Sequence, residues 1–166
     1  MLPRISPALK GIISSASMIV AMFILYNQGS EMNPRLLYMV YAIYGIGIIW
    51  TILSYRQSAA FTGRFVDLFS QGFKCFIVVT LCIALFYGIF NYLHPEFKEK
   101  TAALLKEQLS KLTGEKQMLP TQIEDEVAAF KKQYILKLVS GAIFGYLIIG
   151  AAVTATAAAF LSKRIK

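Results

Sequence analysis

Charge is absent from four long stretches of the 166-residue chain, and the flanking charges mark their ends. Lys10 and Glu31 enclose residues 11–30, Arg35 and Arg56 enclose 36–55, Lys74 and Glu96 enclose 75–95, and Lys137 and Lys163 enclose 138–162. A helix rises 1.5 Å per residue, so about 20 apolar residues cross a hydrocarbon layer of about 30 Å with their backbone hydrogen bonds satisfied internally. The pattern predicts an all-α polytopic membrane protein with four transmembrane helices.

Residues 96–137 are the one long polar segment, and the 3.6-residue period persists inside it. Pro95 suits a first helical position, and Glu96 sits where negative charge meets the positive end of the helix dipole. Phe97, Thr101, Leu104, Leu105, Leu109 and Leu112 make one apolar stripe, which Thr113-Gly114 is expected to end. Thr121 and Glu124 have capping-box spacing. Ile123, Val127, Phe130 and Tyr134 carry a second stripe into the fourth span, so one helix from about Gln122 to about Ser162 is expected. Two helices of similar length predict an extramembrane helical hairpin, with Leu105, Leu109, Val127 and Phe130 packing on each other or on a partner.

The connection at 57–73 spaces Phe61, Phe65, Phe69 and Phe73 nearly as a helix would, with Arg64, Asp67, Ser70 and Gln71 between them. That predicts a short amphipathic helix in the bilayer interface, or a docking surface for a cytosolic protein. In the fourth span Gly141 and Gly145 form GxxxG, Ala151 and Ala155 repeat the small-residue spacing, and Gly150, Thr154 and Ala158 line an adjacent row. Small residues let helix backbones approach closely. The partner is expected to be the first or second span, where Gly11, Ser15, Gly45 and Gly47 offer grooves, or another protein.

Composition agrees: 57% of residues are hydrophobic and 16% charged, against roughly 25% charged in a soluble domain. This argues against a disordered chain, a disulfide-rich secreted protein or a soluble enzyme. The net charge of +8 divides unevenly, with +7 on the N-tail, the second connection and the C-tail, and +1 on the first and third connections. Positive charge stays cytoplasmic. Both termini are therefore expected inside a bacterial inner membrane and residues 96–137 in the periplasm. Nothing resembling a cleavage site follows the first span, which reads as a retained anchor. The basic balance suits anionic lipid, and no basic face interleaved with aromatics points to nucleic acid.

Catalytic chemistry is sparse. The span interiors hold no ionisable Asp, Glu, Lys, Arg or His, which argues against a proton-coupled transporter, an ion pump or an intramembrane metalloprotease. Cys75 and Cys82 lie seven apart in one helix, roughly 10 Å along its axis, too far to bridge. His94 is the single histidine and suits a cap or interface role. No phosphate loop, metal-ligand spacing or nucleophile elbow occurs, so no catalytic, cofactor-binding or metal-binding residue is expected.

The order of features resembles a known family. A second connection ending in Phe69-Ser-Gln-Gly-Phe73-Lys74, an outer Pro95-Glu96-Phe97, a Lys/Glu-rich helical segment and a small-residue span ending in Lys163-Arg164 are similar to the domain of unknown function 4199. Gly72 stands where a small Ala is common, and Cys75-Phe76 where a Val-Gly-like pair is expected. The resemblance implies a four-span membrane protein from Bacteroidota with no catalytic residues to carry over. It also implies an association with membrane glycosyltransferases. The leading expectation is thus a non-enzymatic accessory or scaffold subunit that binds or positions a membrane partner, such as a glycosyltransferase acting on polyprenyl-phosphate or envelope glycans. The alternative is a small homo-oligomeric channel or carrier, and a third class is an enzyme using His94 and Glu96.

Overall fold

In the computed structural model the described residues are 5–27, 34–112 and 118–162. They form five helices and no strand: α1 (Pro7–Asn27), α2 (Pro34–Arg56), α3 (Phe65–Leu93), α4 (Glu96–Ser110) and α5 (Pro120–Ser162). Four of them, all but α4, are long and apolar enough to cross a membrane. The protein is an all-helical membrane protein.

Proline sets four of the five helix starts. Pro7, Pro34 and Pro120 open α1, α2 and α5, and Pro95 immediately precedes α4. Its fixed φ suits the first turn, and its missing N–H would have had no helical partner there. Ser6 Oγ accepts the Leu9 N–H at 3.2 Å and caps α1. The start of α5 corrects the expected Thr121/Glu124 box. Pro120 takes the first helical position, so the cap falls on Leu119, whose N–H donates to Gln122 Oε1 at 2.9 Å. The helix is continuous for 43 residues, roughly 65 Å at 1.5 Å per residue. Hydrocarbon needs less than half of that. The Thr113-Gly114 stop and the charges at Arg4, Glu31, Lys163, Arg164 and Lys166 lie outside the described residues.

The second connection also differs from expectation. Phe61 lies in a run of turns, and Phe65, Phe69 and Phe73 belong to α3 itself. The separate interfacial helix does not exist, because nothing from Phe65 to Leu93 breaks the helix; an interior glycine such as Gly72 costs only about 1 kcal/mol. The turn is set by Gly63 at φ 87°, a region glycine enters freely. Arg64 and the Thr62 hydroxyl both donate to the Asp67 carboxylate, Arg64 at 3.3 Å.

The chain divides into two compact units, one of Met1–Ala84 with Ala142–Lys166, the other of Leu85–Gly141. In the first unit Met18 of α1, Tyr44, Ile48 and Ile52 of α2, Leu68 and Val79 of α3, and Thr154 and Ala158 of α5 have no exposed surface. Large apolar side chains such as Val20, Leu81, Phe144 and Phe160 are more than half exposed. Hydrocarbon as the solvent accounts for them.

Close approach in this unit is made by glycine. A Cβ at Gly11 would come within 2.8 Å of the Cys75 carbonyl oxygen, one at Gly72 within 2.6 Å of Thr154 Cγ2, and one at Gly150 within 2.7 Å of the Phe76 ring. Gly47 lies against Ser14 in the same way. Tyr44 donates its phenol hydrogen to the Tyr146 carbonyl at 2.8 Å. That oxygen lies one helical turn before Gly150, so the phenol occupies the space a side chain at 150 would need.

Candidate functional site

In the unit Leu85–Gly141, α4 runs antiparallel to the first turns of α5. Lys131 pairs with Glu99, and Lys106 with Glu124 at 3.6 Å. The two pairs step in opposite directions along the two helices, which defines the register. Between them Ala102 and Ile123 are buried, and Leu105, Leu109, Val127 and Phe130 are half-buried. Two residues depart from the predicted stripes. Leu104 is exposed, and the small Ala102, outside the predicted stripe, is buried. Tyr134 donates to Asn91 Oδ1 at 3.2 Å and packs edge-on against Phe130 at 5.7 Å.

His94 bonds Glu96 through Nδ1 at 2.7 Å and lies tilted against the Phe90 ring at 4.5 Å. The Glu96 carboxyl is held below its ordinary value by its own backbone N–H and by His94. Glu99 is lowered by its hydrogen bond to the Lys131 ammonium. His94 and Glu96 thus form an exposed pair beside the entry to α4. Among the described residues no three His, Cys, Asp or Glu side chains gather as metal ligands. Cys75 and Cys82 are free thiols.

The small-residue rows separate. Gly150, Thr154 and Ala158 are buried, Gly150 against Tyr44 of α2 and Phe76 of α3 and Thr154 against Gly72 of α3. Among the described residues, nothing lies within 4 Å of a Cβ built at Gly141, Gly145 or Gly45. Ala151 and Ala155 are half-buried. GxxxG is therefore not the row that packs the membrane core; the row one position round the helix is, because it faces Tyr44 and Phe76. The Phe column does come together, with Phe65 on Phe69 at 5.6 Å, Phe69 on Phe73 at 6.3 Å and Phe73 on Phe76 at 5.1 Å. Phe61 leaves it and packs against Tyr55 at 6.2 Å.

A cavity of about 410 Å³, mostly apolar with a few polar side chains, opens where α1 begins, α2 ends and α3 has made its first turns. Lys10, Trp50, Ser54, Ser58 and Gln71 line it. Lys10 is 7% exposed, with its ammonium 5.0 Å over the Trp50 ring. No carboxylate among the described residues pairs with it. Ser58 Oγ is buried without a hydrogen-bond partner.

A family model covers residues 9–163, nearly the whole described chain. The chain belongs to the family Protein of unknown function (DUF4199). Membership agrees with the motifs around Phe69 to Lys74 and Pro95 to Phe97, both inside the match. No curated protein and no solved structure is significantly similar to this DUF4199 chain. The pocket around Lys10 escaped the sequence, in which Lys10 marks only the edge of a span. Trp50 and Ser58 stand 40 or more positions away, and packing alone unites them. The clustering of Ser54, Tyr55 and Ser58 at the end of α2 was the signal present.

Proposed function

We propose that this DUF4199 chain is a non-enzymatic accessory subunit of a membrane complex, and that the α4/α5 hairpin is the surface it offers to its partner. The observation that carries this reading is the hairpin itself. Its inner stripe is filled by Ala102 and Ile123, its register is held by charged pairs, and its outer faces carry Lys and Glu. A pre-ordered helical surface binds without a large ordering cost. The partner class favoured by the family resemblance is a glycosyltransferase acting on polyprenyl-phosphate or envelope glycans. The charge distribution supports both termini in the cytoplasm of a bacterial cell and the hairpin in the periplasm.

Affinity purification of the tagged full chain in mild detergent, followed by mass spectrometry, tests the proposal. A stoichiometric membrane enzyme that is lost on exchanging the exposed Lys and Glu of α4 for Ser supports it. Recovery of the chain alone as a homo-oligomer overturns it in favour of a small channel or carrier, the reading that the uncovered Gly145 favours.

A further inference from the structure

We propose that the cavity around Lys10 binds the anionic phosphate head of a membrane lipid. It lies at the edge of the membrane-crossing helices, where α1 enters at Pro7 and α2 leaves at Arg56, the depth at which lipid phosphates reside. Its volume of about 410 Å³ falls in the ordinary range of ligand sites, roughly 300–1,000 Å³.

Its walls are mostly apolar, and the polar side chains set into them include a buried cation and an unpartnered hydroxyl. A lysine at a span end ordinarily extends to water, its stem lying along apolar surface. Lys10 instead lies inside, 7% exposed. The Trp50 face 5.0 Å away attracts its ammonium, but a ring supplies no hydrogen-bond acceptor for the three N–H groups. Ser58 is 8% exposed, its Oγ has no partner, and it lines the same cavity. The nearby Ser54 and Thr51 hydroxyls are already spent on the carbonyls of Trp50 and Gly47. Ser6 Oγ accepts from Leu9, leaving its own hydrogen to donate, and Gln71 adds an amide. The first turn of α1 points its positive dipole end at the same space. A cation, free hydroxyl donors and, among the described residues, no lining acid call for an anion with several acceptor oxygens. The apolar rims at Ile5, Pro7 and Trp50 fit the glycerol and first methylenes beneath a phosphate.

The test uses the full chain in mild detergent, titrated with phosphatidylglycerol or with phosphatidylcholine of the same acyl chains and read by native mass spectrometry. Phosphatidylglycerol is expected to bind about tenfold more tightly than phosphatidylcholine. Lys10→Gln is expected to lower that affinity about tenfold, Ser58→Ala several-fold, and Lys10→Arg little. Lys74→Gln, which alters an exposed cation outside the cavity, is expected to leave it unchanged. Ser58→Ala removes only an unpartnered hydroxyl, so the test stands even where Lys10→Gln disturbs folding. The proposal is overturned if Ser58→Ala binds as the parent does, or if Lys74→Gln weakens binding as much as Lys10→Gln. Displacement of the lipid by millimolar inorganic phosphate would instead assign the site to free phosphate and overturn the lipid.

Discussion

Gly72 faces Thr154 so closely that a Cβ at position 72 would stand 2.6 Å from Thr154 Cγ2. The contact joins α3 to α5 in the core of the first unit. Gly72→Ala is therefore expected to overpack it at a cost of about 1–3 kcal/mol, seen as a lower thermal midpoint in detergent. Thr154→Ala alone should be nearly neutral, because the Thr154 hydroxyl is buried without a partner and its removal offsets the lost methyl. The double variant should recover most of the loss. Equal melting of single and double variants would refute the contact.

The glycines of α5 are expected to divide by position. Gly150→Ala drives a methyl into Phe76 and the Tyr44 phenol and should destabilise the isolated protein by about 1–3 kcal/mol. Gly141→Ala and Gly145→Ala meet open space and should leave the midpoint unchanged or raise it, since alanine is the better helix former by about 1 kcal/mol. Replacing Gly145 by Leu should weaken only an association with another chain, measured by co-purification at unaltered melting.

At the start of α3, Leu68 is wholly buried whereas Phe65 and Phe73 are 40% and 45% exposed. Leu68→Ala should cost about 2–5 kcal/mol and Phe65→Ala much less, although the aromatic side chain is the larger. Denaturation of both variants in the same detergent gives the comparison; the reverse order would mean that the Phe column is covered.

The hairpin should loosen in acid. Glu96 and Glu99 titrate below their ordinary 4.5 when folded, so the opened hairpin binds more protons as pH falls. Their contribution is complete above about pH 5 and disappears as pH drops through the lowered folded values. Both carboxyls are exposed, which makes the effect small. Hydrogen exchange across 96–110, corrected for intrinsic rates, should quicken between pH 5 and pH 3, and Glu99→Gln should reduce that change. An identical pH profile in the variant would show that the Lys131 pair contributes nothing.

The sequence by itself determined that four apolar helices are present and that α5 runs unbroken from the polar segment through the last span. These features depend on local composition, backbone sterics and the cost of unpaired peptide groups in hydrocarbon, all of which act within a few turns. Which face of each helix meets a neighbour is a different matter. In lipid both faces are apolar, so the amphipathic signal that orients a soluble helix is missing. Tertiary packing alone selected the Gly150–Thr154 row over Gly141 and Gly145 and buried Ala102 rather than Leu104 in the hairpin. It also turned Lys10 from the edge of a span into the cation of a cavity, by bringing Trp50 and Ser58 beside it from the far end of another helix.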